Sequence, residues 1–334
     1  MSRKALFALF AALLALAGCA ATAGPSAPAG LPKPTIGLTY IPNIQFSPFY
    51  LAETDGLYTG AGVQPILRHH GTSEALFTAI AAGQEQFVIA GGDELMQARS
   101  QGVDLVAVAS YYRSYPVEII VPQGSAITTL ADLKGRTIGL PGKYGESWFG
   151  LLVALKSAGL TQADVKIAEI GYTQQAALTT GKVDAVVGFS NNDAVQFQLA
   201  GFATRALPIA SGDVPLVGAS LITTPAYASA HPDVVKAVVA ATAAGIAEAV
   251  TKPERALEVS AAYVPDLKTA SGKASATATL AATKQLWTRA DGTVDPSLDA
   301  AGWARMADFL AAAGITPNRQ DPVAAMSNVY ITTR

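Results

Sequence analysis

Short apolar runs rich in β-branched residues recur along the chain, and segments with helical spacing separate them. Each run has the length of a strand, and many end at Gly, Pro or Asn, which are turn signals. This alternation is typical of βαβ units, so we expect an α/β fold with largely parallel sheets. The predicted strands are residues 35–40, 63–68, 87–90, 105–110, 117–121, 137–140, 165–170, 183–188, 204–208 and 216–223.

Helical patterns fill the intervals between these strands. Asp93 precedes one of them and is predicted to be its N-cap, since its short carboxylate can accept from free backbone N–H groups. Ala-rich helical patterns continue from His231 to the C-terminus. Residues 237–250 are apolar but short and are interrupted by Glu248, which favours a packed helix over a membrane span. The earlier predicted helices are residues 47–55, 73–82, 93–100, 128–133, 147–158, 173–180 and 194–200.

The chain from Val117 onward repeats the order of elements that precedes it. The sequence LFTAIAAG at residues 76–83 and the sequence ALTTG at residues 177–181 each come shortly before a β-rich run. The repeat is weak, and it supports two units of similar topology. We expect the strand at residues 216–223 to cross back from the second unit to the first.

The N-terminal segment has the order of a secretory signal. Arg3 and Lys4 precede an uncharged apolar stretch, and Leu16-Ala17-Gly18-Cys19 follows it. This resembles the lipobox of bacterial lipoproteins, which implies a signal peptide at residues 1–18 and lipidation of Cys19. The alternative is an ordinary signal peptide with an incidental cysteine. Residues 19–34 are rich in Ala, Pro and Gly and are predicted to be a tether. We therefore expect a protein held by lipid at the extracytoplasmic face of the membrane.

The composition narrows the function classes. Half of the 334 residues are hydrophobic and only 14% are charged, which suits a large buried core. The formal net charge is −2, so a nucleic-acid partner is not expected. Three His and one Cys are too few for a typical zinc or iron–sulfur site, and we expect no metal and no cofactor. The chain carries no Gly-x-Ser-x-Gly, Walker or Rossmann motif, so we do not expect an enzyme.

Aromatic, amide and carboxylate side chains concentrate after the predicted strands, where ligands of α/β sheets bind. Rings from two sides could sandwich a flat heterocycle while polar groups bind its edge. Each residue also has a structural alternative, such as core packing for Tyr40 and Trp148, or turn formation for the two asparagines. His69 and His70 are adjacent on a strand and point to opposite faces, so they cannot chelate together. The candidate ligand residues are Tyr40, Asn43, Phe46, Phe49, Gly92, Asp93, Tyr112, Tyr144, Glu146, Ser147, Trp148, Phe189, Asn191 and Asn192.

Four blocks of the sequence resemble a known family. They are GLTYIPNIQFSPFYLAETDGLY at residues 37–58, GTSEALFTAIAAGQEQFVIAGGDEL at 71–95, ITTLADLKGRTIGLPGKYGES at 127–147 and ALTTGKVDAVVGFSNND at 177–193. Together they are similar to solute-binding proteins related to the binders of thiamine pyrimidine precursors. Within that group, YIPNIQFSPFY looks most like binders of riboflavin and of pyrimidine precursors.

The resemblance implies a two-lobed periplasmic-binding-protein fold of type II. Lobe 1 would comprise residues 35–116 and 221–334, and lobe 2 residues 117–220, with a hinge at residues 115–121 and 216–223. It also implies a monomer that delivers a small-molecule ligand to an ABC permease. Related yeast enzymes make the thiamine pyrimidine on this fold with a cysteine-rich motif and iron, and this chain has only Cys19. The alternatives are a sensor or an enzyme that reuses the fold, or a binder of sulfonates or amino acids.

Overall fold

The computed structural model describes residues 30–71 and 75–332. Within these residues a strand is found at each predicted position. The strands are β1 (Thr35–Leu38), β2 (Ile66–His69), β3 (Phe87–Gly91), β4 (Val106–Ser110), β5 (Val117–Pro122), β6 (Thr137–Leu140), β7 (Lys166–Glu169), β8 (Ala185–Phe189), β9 (Thr204–Pro208) and β10 (Ala219–Thr223). The helices are α1 (Ser47–Thr54), α2 (Leu57–Gly60), α3 (Thr78–Ala81), α4 (Gly92–Ser100), α5 (Gly145–Ser157), α6 (Gln174–Thr179), α7 (Asp193–Leu199), α8 (Pro225–Ala230), α9 (Pro232–Thr251), α10 (Pro253–Ser260), α11 (Ala270–Trp287), α12 (Ala300–Ala312) and α13 (Pro322–Ala325).

The strands form two five-stranded sheets with the same topology. The first has the order β2-β1-β3-β10-β4 and the second the order β7-β6-β8-β5-β9. In each sheet one strand, β10 or β5, is antiparallel to both of its neighbours, and the other four run in one direction. Helices flank both sheets. The predicted α/β class with mixed, mostly parallel sheets is confirmed.

The chain passes between the two sheets twice. β4 of the first sheet is followed by β5 of the second, and β9 of the second is followed by β10 of the first. The two reversed strands, β5 and β10, are therefore the ones that directly follow a passage. The lobe boundaries and the hinge given above stay predictions.

Helix α9 is long and apolar, yet much of it is buried. It has the length and composition of a membrane span, and 56% of its most apolar window is buried inside the protein. Val235, Val238 and Ile246 belong to its buried face, and the helix packs against α1. Burial of this face removes apolar surface from water, which stabilises the fold. The prediction of a packed helix at residues 237–250 is confirmed.

Several element boundaries differ from the sequence prediction. β2 begins at Ile66 and not at Val63, because Val63 N–H donates back to the carbonyl oxygen of Tyr58 in α2 (3.0 Å). Residues 130–133 form a 3₁₀ turn, in which the Asp132 carboxylate accepts from the preceding backbone N–H groups. α3 comprises only Thr78–Ala81, and residues 73 and 74 of the predicted helix lie outside the described residues.

The predicted N-cap role of Asp93 is wrong. α4 begins at Gly92, so Gly91 is the N-cap and Asp93 already lies in the first turn. The Glu94 carboxylate accepts from the N–H of this N-cap residue, Gly91 (2.8 Å). Asp93 Oδ1 accepts from Glu94 N–H within the first turn (2.8 Å), and Asp93 Oδ2 accepts from the Tyr115 hydroxyl outside the helix (2.6 Å).

Candidate functional site

A cavity of about 1300 Å³ lies among the loops that follow strands of both sheets. Residues directly after β1, β3 and β4 line it from the first sheet, and residues after β6, β7 and β8 line it from the second. Pockets for drug-sized ligands enclose about 300–1,000 Å³, so this volume admits a ligand with more than one ring. The predicted ligand residues in its lining are Tyr40, Phe46, Tyr112, Tyr144, Glu146, Ser147, Phe189 and Asn192.

The other predicted ligand residues lie outside this lining, and most have structural partners. Phe49 is fully buried in α1, with its ring centroid 5.3 Å from that of Tyr111. Asn43 accepts from Gln45 N–H (3.1 Å) and caps the short turn at Ile44–Phe46. Their roles as ligand contacts stay predictions. The full set outside the lining is Asn43, Phe49, Gly92, Asp93, Trp148 and Asn191.

Asn191 and Trp148 lie outside the cavity lining, although the adjacent residues Asn192 and Ser147 belong to it. Asn191 is buried, and its Nδ2 donates to Thr283 Oγ1 in α11 (3.0 Å), whereas Asn192 lines the cavity. Trp148 is half-buried and packs against the hydrophobic core, with the Lys143 ammonium 6.0 Å from its ring centroid. Of the two asparagines, only Asn192 therefore lines the cavity in the described part of the chain.

Three carboxyl groups come together beside the cavity, around Gly91 and Gly145. Asp93 is fully buried, and the Tyr115 hydroxyl donates to Asp93 Oδ2 (2.6 Å) and lies 2.9 Å from the Glu146 carbonyl oxygen. Glu94 and Glu146 both line the cavity. We refer to Asp93, Glu94 and Glu146 as the acidic cluster.

Burial raises the pKa of every member of the acidic cluster. Loss of solvation raises the pKa of Asp93 to about 7 and, together with the Asp93 charge, that of Glu94 to about 8. Burial and the charges of Asp93 and Glu94 raise the pKa of Glu146 well above its usual range. Among the described residues, none of the lining side chains is Lys, Arg or His. The cluster is therefore partly protonated at neutral pH.

The stability of the ligand-free protein is expected to fall as the pH rises from 5 to 8. In the unfolded chain these carboxyl groups titrate near pH 4, so the folded chain binds more protons than the unfolded chain throughout this window. The melting temperature should drop by about 5 °C over the window, measured by circular dichroism. Tyr112 and Tyr115 also face the cluster, and their pKa values lie above this window.

A Glu94→Gln variant tests this origin of the pH dependence. It removes one titrating group while its amide oxygen can still accept from Gly91 N–H, so the pH dependence should become shallower. A melting temperature that rises between pH 5 and 8 would contradict the assignment.

Glu94 and Tyr172 are two of the lining residues that the list predicted from sequence did not contain. Glu94 follows Asp93 directly, and the position of the helix start decides which of the two faces the cavity. Tyr172 follows β7 after a short turn, and its ring centroid lies 6.0 Å from that of Tyr40. The same strand-end rule that selected Tyr40 applies to Tyr172, so this residue was predictable. The two rings come from opposite sheets.

The histidine pair acts in two separate networks. His69 Nε2 pairs with the Tyr50 hydroxyl (2.9 Å), and His69 Nδ1 pairs with the Tyr40 carbonyl oxygen (3.1 Å). His70 is buried and pairs with the Glu85 carboxylate (2.9 Å). The predicted divergence of the two rings is confirmed. Within residues 30–71 and 75–332, no group of three or more His, Cys, Asp or Glu is placed to hold a metal ion.

Comparison with known sequences identifies a family that the chain matches and several similar proteins. Residues 43–256 match the profile of the family described as NMT1/THI5 like. The riboflavin-binding protein RibY of Chloroflexus aurantiacus is 28% identical over 93% of this chain and 89% of its own length. The 4-amino-5-hydroxymethyl-2-methylpyrimidine phosphate synthase of Legionella pneumophila is 22% identical over 70% and 75%. The formylaminopyrimidine-binding protein of Halalkalibacterium halodurans is 27% identical over 55% of each chain.

Comparison with solved structures shows the fold. The periplasmic aliphatic sulphonate binding protein SsuA from Escherichia coli superposes with a TM-score of 0.70. The match covers 90% of this chain and 99% of that protein at 20% identity. The described chain thus has the fold of periplasmic binding proteins, as the sequence blocks implied.

Proposed function

The chain belongs to the NMT1/THI5-like family, and on this premise we propose that it is an extracytoplasmic solute-binding protein of an ABC importer. Its ligand would be a planar aromatic heterocycle, held in the cavity between the two sheets. The observation that carries this proposal is the lining itself, in which aromatic rings from both sheets surround amide and carboxyl groups. The aromatic rings can stack on the faces of a flat heterocycle, and the polar groups can form hydrogen bonds with the atoms at its edge.

Riboflavin is the first candidate ligand, and a pyrimidine precursor of thiamine is the second. The similarity to RibY over nearly the whole chain supports riboflavin. The cavity volume of about 1300 Å³ suits a three-ring ligand with a side chain better than a single pyrimidine ring. The formylaminopyrimidine-binding relative keeps the second candidate open.

A sulfonate is a weaker candidate, although the fold is shared with SsuA. A sulfonate carries a permanent negative charge, which basic groups or free N–H donors must neutralise. Glu94, Glu146 and Asp193 line the cavity, and the described lining offers no basic side chain. Binding an anion here would add like charges in a region that already disfavours ionisation of its own carboxyl groups.

A second function class is an enzyme or a sensor that reuses the fold. One relative is named as a pyrimidine phosphate synthase, which supports an enzyme. The related yeast enzymes use a cysteine-rich motif and iron, and the only cysteine of this chain is Cys19. Incubation of the purified protein with each bound compound, followed by mass spectrometry, separates the classes, because an enzyme would convert the compound and a binding protein would release it unchanged.

The deciding experiment is a binding titration with purified protein. Riboflavin fluorescence should be quenched on addition of protein, and native mass spectrometry should show one ligand per chain. The pyrimidine, a sulfonate and an amino acid are titrated in parallel by calorimetry. The proposal fails if neither riboflavin nor the pyrimidine binds below about 10 μM while a sulfonate or an amino acid does.

We also propose that ligand capture closes two lobes. Residues 35–116 and 221–334 would form one lobe and residues 117–220 the other, with the hinge at residues 115–121 and 216–223. The two passages between the sheets support this division, because only these segments would bend when the sheets move apart. Small-angle scattering should show compaction on addition of ligand. An unchanged radius of gyration at saturating ligand would count against the hinge.

Lipidation of Cys19 is proposed as the membrane anchor of a monomeric receptor that docks on its permease. Cys19 lies outside the described residues, and the proposal rests on the lipobox sequence. A Cys19→Ala variant is expected to appear in the soluble fraction, since the acyl chains would supply the membrane affinity. Fractionation with a salt wash measures this. If the variant still pellets with membranes, the anchor lies elsewhere in the chain.

A further inference from the structure

The first turns of two helices from opposite sheets meet at the acidic cluster. Glu94 lies in the first turn of α4, which follows β3, and Glu146 lies in the first turn of α5. The approach is reciprocal. A Cβ on Gly91 would lie 3.2 Å from Glu146 Oε1, and a Cβ on Gly145 would lie 2.9 Å from Glu94 Oε1. Each carboxyl group thus rests against the glycine beside the other helix start.

Most of the polar atoms around this junction are already paired. Gly91 N–H donates to Glu94 Oε2, and the Tyr115 hydroxyl donates to Asp93 Oδ2 and lies 2.9 Å from the Glu146 carbonyl oxygen. Glu146 Oε1 is different. It is buried and has no hydrogen-bond partner among the described residues. A buried acceptor without a donor is costly, so it marks a place where a donor from a ligand would be stabilising.

The surroundings of Glu146 restrict what that donor can be. The protein supplies no cation here, since the described cavity lining lacks Lys, Arg and His. The nearby acidic groups Asp93 and Glu94 disfavour any further negative charge. A neutral hydroxyl or amino group meets both conditions, because it donates a hydrogen bond without adding negative charge.

We propose that Glu146, with Glu94 beside it, is the subsite for a hydrogen-bond-donating group of the ligand. This inference rests on the proposed function and specifies the orientation of the ligand in the cavity. Riboflavin has two kinds of donor, the hydroxyls of the ribityl chain and the N3–H of the flavin ring. We assign the ribityl hydroxyls to this subsite, so that the flavin ring lies among the aromatic side chains. In a pyrimidine precursor we assign the amino group on the ring as the donor.

Three flavins test the orientation. Lumiflavin has the same ring system with a methyl group in place of the ribityl chain, and flavin mononucleotide adds a phosphate to the end of that chain. We expect lumiflavin to bind at least tenfold more weakly than riboflavin. Flavin mononucleotide should bind at least tenfold more weakly as well, because its phosphate would approach the carboxyl groups. Equal affinities for the three flavins would overturn the proposed orientation.

A Glu146→Met variant tests the residue itself. Methionine keeps the length of the side chain and removes both carboxyl oxygens. Riboflavin affinity should fall about tenfold, as expected for a lost charged or buried acceptor, while lumiflavin affinity should change less than twofold. Glu118→Gln is the matched control, since Glu118 is an acid in β5 outside the cavity lining and its change should affect neither ligand.

The outcomes separate this inference from the proposed function. If Glu146→Met weakens both flavins equally, or neither, riboflavin binding stands and the donor subsite is wrong. If the wild-type protein binds 4-amino-5-hydroxymethyl-2-methylpyrimidine and no flavin, the same variant is tested with that pyrimidine. A tenfold loss would then support the subsite with the amino group as donor, and no loss would overturn it. If the protein binds none of these compounds, the proposed function fails and the subsite fails with it.

Discussion

Replacement of Gly245 by alanine is expected to lower the free energy of unfolding by about 2 kcal/mol. Gly245 lies on the face of α9 that packs against α1. A Cβ at this position would overlap the carbonyl oxygen of Pro48 and lie 3.0 Å from its carbonyl carbon. These are backbone atoms of the neighbouring helix, so no side-chain rotation can relieve the overlap and the two helices must separate. Alanine is the better helix former by about 1 kcal/mol, and this gain offsets only part of the loss.

Gly60→Ala is the matched control for Gly245→Ala. Gly60 ends α2, and a Cβ there would meet no atom within 4 Å. This variant should be as stable as the wild type or slightly more stable, because only the helix propensity changes. Urea unfolding followed by circular dichroism measures both variants. Equal stability of the Gly245→Ala variant and the wild type would show that the packing of α1 on α9 tolerates the extra carbon.

The strands were predictable because local signals and tertiary packing agree there. β3 and β8 are apolar runs of the length of a strand, and both are buried almost throughout in the centre of a sheet. The predicted element boundaries were wrong where a single hydrogen bond determines where an element begins. Val63 N–H donates to the carbonyl oxygen of Tyr58 in α2, so the apolar start of the predicted strand belongs to the connection after this helix. Such a choice depends on where the preceding helix ends, which periodicity does not specify.

The sequence predicted which loops form the candidate site better than it predicted which individual residues line it. The strand-end rule selected loops that do line the cavity, including those of Tyr40 and Phe189. It could not decide between Asp93 and Glu94, because a shift of the helix start by one residue rotates both side chains by about 100°. Trp148 illustrates the same difficulty, since its direction depends on the core that packs against α5. Orientation at a helix start is therefore a property of the tertiary structure.

Replacement of both Tyr40 and Tyr172 by alanine is expected to weaken riboflavin binding by about 10- to 100-fold. The two rings come from opposite sheets, line the cavity and lie 6.0 Å apart between centroids. Stacking contributes about 0.5–1.5 kcal/mol for each ring beyond the buried area, and two rings give the stated range. Tyr172 is 51% exposed and Tyr40 is only partly buried, so the fold should lose little stability.

The double phenylalanine variant is the matched control for this loss. Tyr40→Phe with Tyr172→Phe keeps both rings and removes only the hydroxyl groups, so riboflavin affinity should stay within about threefold of the wild type. Fluorescence quenching gives the affinities, and thermal unfolding confirms that the variants are folded. If the phenylalanine variant binds as weakly as the alanine variant, the hydroxyls and not the rings hold the ligand. If the alanine variant binds like the wild type, the heterocycle lies elsewhere in the cavity, and Phe46 and Phe189 become the rings to test, since both line the cavity.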